Sequence, residues 1–206
     1  MARSFSRDDF AAGFPVSRET LERLAAYADL LVKWQSKINL VGPATLPDLW
    51  QRHFLDSAQL YPLLPEKRPL RLVDLGSGAG FPGLVLAILG AGDVHLVESD
   101  QRKCAFLREA ARITQTAVTI HALRIETLAP LEADVITARA LAPLEKLLDW
   151  AAPHRTAHTI HLIPKGKEAE AELTQASRRF TLEVERHRSL TDPAATIFQI
   201  RVTDHD

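Results

Sequence analysis

The chain has 206 residues, of which 46% are hydrophobic and 25% charged, and carries a formal net charge of −1. That length holds one good-sized α/β core with about 60 residues to spare, the composition does not indicate disorder, and the charge argues against coating nucleic acid by bulk electrostatics. The single cysteine, Cys104, excludes an internal disulfide and any multi-cysteine zinc site.

The first residues, MARSFSRDDFAAGF, mix arginines with Asp8 and Asp9 and contain no apolar stretch long enough for a signal peptide. The longest apolar run, Leu84 to Leu89, falls far short of the roughly 20 residues of a membrane span. Both point to a cytoplasmic protein without a membrane partner. Over residues 1–70, nine Lys and Arg stand against eight Asp and Glu, so this part is no basic arm and any RNA contact must come from a local patch.

Between residues 17 and 38, Leu21, Leu24, Ala25, Ala28, Leu31, Val32 and Ile38 recur at spacings of three and four, which predicts an amphipathic helix with Ser17 as N-cap. A second helix is predicted over 47–60, with Leu49, Trp50, His53, Phe54 and Ser57 at similar spacing and Pro62 and Pro65 closing it. The stretch PEKRP at 65–69 is the best boundary, dividing an N-terminal helical extension, 1–66, from a domain over 67–206.

From residue 70, short apolar runs alternate with helical segments. LRLVDL, VHLVES, AVTIHA, DVITAR and HTIHLIPK read as strands, separated by helices near 82–90, 101–114, 143–152 and 168–180. That rhythm predicts a doubly wound parallel sheet with right-handed crossovers. LEVERHRSL and TIFQIRV then follow each other across TDPAA without room for a helix, so the sheet should end in an antiparallel hairpin.

The glycine-rich turn after the first strand, within LRLVDLGSGAGFPGL, reads Gly76-x-Gly78-x-Gly80 with a further glycine at 83. A dinucleotide fingerprint would place its third glycine at 81, where Phe81 stands, and a P-loop would need a Gly-Lys-Ser/Thr that is missing. Asp74, two residues before the first glycine, would repel a pyrophosphate docked on this turn and suit a cation. S-adenosylmethionine fits, having a sulfonium and an ammonium but no phosphate; Asp74 can also simply cap the turn by bonding loop amides. Glu98, about 20 residues on at the end of the second strand, is placed to hold both ribose hydroxyls, or to cap the helix that begins near Asp100. In HALRIETL, Ile125 would cover an adenine face and Glu126, with nearby backbone, would read its edge.

The end of the fourth strand, TARALAP at 137–143, should face the methyl acceptor. It lacks the Asn/Asp-Pro-Pro-aromatic turn of enzymes that methylate exocyclic amines, and Cys104 lies inside a helix as core packing rather than as a nucleophile for pyrimidine carbon 5. What remains are acceptors with a ready lone pair, of which guanine N7 is the clearest, with catalysis resting on in-line alignment and no general base. His53, Asp56 and Ser57 lack a nucleophile elbow and make no hydrolase triad. His158 and His161, three apart on a strand, point to opposite faces and cannot share a metal.

WQSKINL (34–40), RHFLDS (52–57), VDLGSGAGFPG (73–83), RIE (124–126), ARA (138–140) and PKG (164–166) resemble, in order and spacing, the glucose-inhibited division protein B family over nearly the whole chain. The resemblance implies a seven-stranded, mostly parallel class I S-adenosylmethionine-dependent methyltransferase that modifies N7 of one guanine of 16S ribosomal RNA near the decoding centre. It implies cofactor contacts from Gly76, Phe81, Ile125, Glu126 and Arg139, to which the residue reading adds Asp74, Gly78, Gly80 and Glu98. Read alone, Arg139 is a phosphate or base contact; the resemblance moves it to the methionine carboxylate, with a structural ion pair as the plain alternative. Phe81 stands where leucine also occurs in the family, and Glu98 where aspartate is common. Arg52, His53, Lys165 and Lys167 form a small basic rim offered as RNA contacts, while His53 and Asp56 can equally staple the N-terminal helices to the sheet. The partner would be 16S RNA, as naked RNA, assembly intermediate or mature subunit. A methyltransferase of a small molecule or protein fits the charge better, and an NAD-dependent oxidoreductase or a non-catalytic nucleotide-binding module are the alternatives outside that class.

Overall fold

The computed structural model describes residues 4–66 and 69–203. Seven strands form one sheet: β1 (Arg71–Leu75), β2 (Asp93–Val97), β3 (Thr119–His121), β4 (Ala133–Thr137), β5 (Arg155–Lys165), β6 (Leu182–Arg188) and β7 (Thr196–Val202). Their order is β3-β2-β1-β4-β5-β7-β6, parallel except that β7 runs antiparallel to both neighbours. This is the doubly wound sheet with a terminal antiparallel hairpin that the strand rhythm predicts. β1 is central and buried from Leu72 to Leu75, because helices cover both of its faces and leave no side for alternating polar residues.

Helices α1 (Arg7–Gly13), α2 (Arg18–Gln35), α3 (Asp56–Ala58), α4 (Gly83–Ile88) and α5 (Gln101–Ile113) lie on one side, α6 (Leu144–Ala151) and α7 (Ala169–Ala176) on the other. On the first side Phe10, Leu24, Tyr27, Leu31 and Phe54 share one core with Leu72, Leu84, Phe106 and Leu107. Each large side chain buried there contributes roughly 1.5–3 kcal/mol. The extension therefore packs directly onto the sheet's own helices. Of the boundary PEKRP, Lys67 and Arg68 lie outside the described residues.

Two elements depart from expectation. Helix α1 was not anticipated, although Ser6 and Asp9 form a capping box in which the Asp9 N–H donates to Ser6 Oγ at 3.2 Å and the Ser6 N–H to Asp9 Oδ2 at 2.7 Å. The helix expected over 47–60 is instead a 3₁₀ segment, Pro43–Asp48, then a π-helical turn, Trp50–Leu55, running into α3. Pro43 and Pro47 remove donors from the first part. In the second the Asp56 N–H reaches back five residues to the Gln51 carbonyl. Widened turns of this kind gather at functional sites, and this one carries Arg52, His53 and Asp56. Among the described residues no helix is long and apolar enough to cross a membrane.

Candidate functional site

Strand order reverses between β1 and β4, and there the carboxyl ends of the strands open onto a cleft of about 1080 Å³. Open α/β sheets bind ligands at such switch points. The volume lies just above the roughly 300–1,000 Å³ of ordinary small-molecule pockets. Gly76, Gly78, Phe81, Glu98, Ile125, Glu126, Arg139, Arg52, His53 and Lys165 all line it; Asp74, Gly80 and Lys167 do not.

The floor on one side is the glycine turn. Gly76 has φ of +67°, so the backbone favours glycine there, and a Cβ would lie 2.6 Å from Leu141 Cδ1 and push that side chain aside. Asp74 is fully buried beneath the turn rather than on its surface. Its Oδ2 accepts from the Gly83 N–H at 3.1 Å and its Oδ1 from the Thr137 hydroxyl at 2.9 Å, which ties β1, α4 and β4 together. Burial pushes its carboxyl up to about 6, against the hydrogen bonds that pull it down. Gly83 is the close-packing glycine: a Cβ would meet Leu96 Cδ2 at 2.5 Å. A dinucleotide fingerprint assigns that role to the position three after its second glycine; here it falls five after Gly78. From above, the hydroxyl of the buried Tyr27 on α2 donates to the Ala79 carbonyl, and its ring stacks on Phe81 at 5.4 Å. Gly80 lies under that hydroxyl, 2.7 Å from where a Cβ would stand.

Glu98, at the end of β2, accepts from the Gly78 N–H through Oε2 at 2.9 Å and from the Asp100 N–H through Oε1 at 2.7 Å. The helix cap proper is Asp100, which accepts from the amides of Arg102 and Lys103. Each Glu98 oxygen keeps a further lone pair. Ile125, half-buried, and Glu126, exposed, stand on the short 3₁₀ turn Ile125–Thr127 along the same wall. Cys104 is buried, its thiol donating to the Glu98 carbonyl at 3.2 Å.

Arg139, just beyond β4, governs the other side. Its Nη1 donates to the Arg52 carbonyl at 3.0 Å and to Asp56 Oδ2 at 3.1 Å, and its Nη2 lies 2.8 Å from His53 Nδ1. The guanidinium also sits 5.2 Å from the Phe81 ring centroid. A guanidinium only donates, so His53 Nδ1 accepts, and Nε2 carries the proton it gives to Thr45 Oγ1 at 2.7 Å. His53 is neutral: burial first, then the charges of Arg139 and Arg52, lower its pKa to about 3. Asp56 Oδ1 meanwhile accepts from the Thr191 hydroxyl at 2.6 Å and from Gln59 Nε2 at 3.0 Å. Ser57 spends its hydroxyl on the His53 carbonyl, so it forms no triad with these neighbours.

The rim is less uniform than a row of cations. Lys165, only 10% exposed at its side chain, donates at 2.7 Å to both the Ala142 carbonyl and Glu172 Oε2, and Glu172 also accepts from the Leu144 N–H. It braces the segment after β4 and is fully engaged there. Arg52 pairs loosely with Asp192 at 3.6 Å and is 48% exposed, while Lys167 is 83% exposed. Lys103 and Arg124 add positive charge to the wall beside Glu98. His158 is exposed and His161 buried, its Nδ1 3.2 Å from the Ile200 carbonyl, so the two stand apart. Tyr27, Asp56, Thr137 and Gly83 escaped sequence reading as site residues. Tyr27 differs in no local way from a core aromatic, and Asp56 has its signal only in the RHFLDS context.

A family model described as GidB, rRNA small subunit methyltransferase G, matches residues 20–197. The chain is 63% identical over 186 residues to the ribosomal RNA small subunit methyltransferase G of Paramagnetospirillum magneticum, covering 90% of each. It is 58% identical over 192 residues to that of Rhodospirillum rubrum, covering 93% of this chain and 94% of the relative. Among solved structures, the fold resembles a ribosomal protein L11 methylase from Lactobacillus delbrueckii subsp. bulgaricus, with a TM-score of 0.61 at 17% identity over 72% of this chain and 77% of that one. A SAM-dependent O-methyltransferase from Thermotoga maritima matches with a TM-score of 0.59 at 16% identity, over 87% of this chain and 72% of the other.

Proposed function

Because the chain belongs to the GidB family of ribosomal RNA small subunit methyltransferases G, we propose that it transfers a methyl group from S-adenosylmethionine to N7 of a guanine in 16S ribosomal RNA near the decoding centre. The observation that carries the choice of atom is the state of the polar groups on the acceptor side. His53 is neutral with both ring nitrogens engaged, Asp56 is held by Arg139 and Thr191, and Glu172 by Lys165. No spare base among these three faces the acceptor, which suits a nucleophile that arrives with its own lone pair.

The residues present fit the cofactor. The turn is open at Gly78, where a Cβ would have only the Gly76 carbonyl within 4 Å, Glu98 keeps acceptor capacity for ribose hydroxyls, Ile125 offers an apolar face for adenine, and Arg139 is a preorganised cation for a carboxylate. When bound, S-adenosylmethionine supplies a sulfonium methyl that is electrophilic without help from an acid. The protein's part is to align and to exclude water, for which effective concentrations can supply about 7–11 kcal/mol. Asp74 and Glu98 place negative charge beneath and beside the glycine turn, which favours a cation there and disfavours a pyrophosphate, while Lys103 and Arg124 stand farther along the wall. The extension 1–66 and the methyltransferase domain 67–206 work as one unit, since Tyr27 fastens the glycine turn and Asp56 holds Arg139.

Phosphate contacts are assigned to Arg52 and Lys167 together with Lys103 and Arg124, with His53 and Lys165 as scaffold. Methyl-labelled cofactor is incubated with unmodified small subunits, assembly intermediates, free 16S RNA and a metabolite extract. Label in the RNA, at a site that borohydride and aniline cleave as N7-methylguanosine, is the expected result. Label confined to metabolites or protein overturns the reading.

A further inference from the structure

Resting on that reading, we propose that Leu190 is the wedge that parts the target guanine from its stacked neighbours so that the base reaches the cleft. In A-form RNA the N7 edge faces a deep, narrow groove that side chains cannot enter. The floor of this cleft, at Gly76 and Arg139, is recessed, so a stacked guanine has to leave its helix to be methylated.

Among the described residues the large apolar side chains left exposed are Val32, on α2, and Leu190, which at 66% is the more exposed. Single exposed apolar residues are ordinary; the setting of this one is not. Its neighbours Ser189, Thr191 and Asp192 all line the cleft, which puts Leu190 on the rim where the acceptor enters. The β6–β7 loop that carries it is fastened on every polar side. The Leu190 N–H donates to Oε1 of the buried Gln59 at 2.7 Å, Thr191 Oγ1 donates to Asp56, Asp192 pairs with Arg52, and Ser189 Oγ accepts from the amides of Thr191 and Asp192. The backbone is thus ordered in advance while its one large apolar side chain stands in water. That is the arrangement an inserting residue needs, because little ordering remains to be done on contact. Apolar wedges of this size unstack base steps in other nucleic-acid complexes. The bracing also runs through Asp56 to Arg139, so the wedge and the cofactor side share one support.

The test compares wild type, Leu190→Ala and Leu190→Met in single-turnover methylation of two substrates: 16S RNA in its folded form, and a fragment in which the target guanine is flanked on both sides by abasic sites and so has no neighbour to stack on. Leu190→Ala should slow the folded substrate about tenfold, Leu190→Met should restore most of the rate, and all three should act equally on the unstacked fragment. A 2-aminopurine beside the target should brighten on binding wild type but not Leu190→Ala. Equal rates on both substrates overturn the proposal, and so does equal slowing on both, which would make Leu190 a general docking contact for RNA or a ribosomal protein. The folded RNA is also offered within small subunits; wild type that methylates none of these substrates refutes the proposed function itself, and the wedge with it.

Discussion

Replacing Asp74 by Asn separates what this carboxylate does for stability from what it does for the ligand. Asp74 is completely buried, and its pKa is raised from 3.8 to about 6, with burial as the main cause. At about 1.36 kcal/mol per pK unit, ionising it in the folded protein costs about 3 kcal/mol more than in the unfolded chain. Because the native pKa is the higher one, the folded state binds more protons between 3.8 and about 6, and stability falls as pH rises through that window, then levels off. Asn keeps the shape, accepts from the Gly83 N–H through its oxygen and donates to the Thr137 hydroxyl, but carries no charge. Near pH 4 the two proteins should be equally stable. At pH 8 the variant should lead by up to about 3 kcal/mol, or roughly 6–12 °C in a chain of this size. Thermal unfolding followed by circular dichroism across this range measures the gap. Calorimetry should show the variant losing affinity for S-adenosylmethionine, with its sulfonium charge, more than for neutral-sulfur S-adenosylhomocysteine. A gap that does not change with pH, a variant less stable at pH 8, or equal losses for the two ligands would each refute the reasoning.

Gly83→Ala forces a Cβ to within 2.7 Å of the Asp74 Cβ and carboxylate, which should cost about 1–3 kcal/mol, whereas Gly166→Ala, with no atom within 4 Å, should leave the melting temperature unchanged. Arg139→Lys keeps the charge but loses the fork that reaches Arg52, Asp56 and His53 together, so cofactor affinity should fall on the order of tenfold. In Arg139→Ala, removing the cation should also move the His53 titration upward, as proton NMR would show. Lys165→Ala takes the ammonium from the Ala142 carbonyl and from Glu172, which keeps only the Leu144 N–H, and should cost about 1–3 kcal/mol in denaturant titrations. Lys167→Ala should leave stability alone while lowering the salt slope of RNA binding by about one.

The sheet was legible because five apolar strands interrupted by amphipathic segments carry their period in the chain itself, and the hairpin was legible because no helix fits between its strands. The glycine turn and Glu98 were legible for the same local reason. Lys165 was not: its role depends on Glu172 arriving from α7, a pairing that nothing in the PKG motif announces. The π-helical turn was hidden because its residues have no distinctive propensity, and what the widening accomplishes shows only once Arg139 lies against it. Gly83 was noticed but given no role, since turn geometry decides which glycine meets the strand. The capping box at Ser6 and Asp9 is readable in the Ser-x-x-Asp spacing itself.

The clasp between Arg52, Asp56 and Gln59 on one hand and Ser189 to Asp192 on the other has a consequence during synthesis. Its halves are separated by some 130 positions along the polypeptide (Gln59 to Leu190 spans 131), so the first waits, exposed, while the ribosome makes the second. The grip on Asp56, which also holds Arg139, is therefore complete only once the final hairpin has been made.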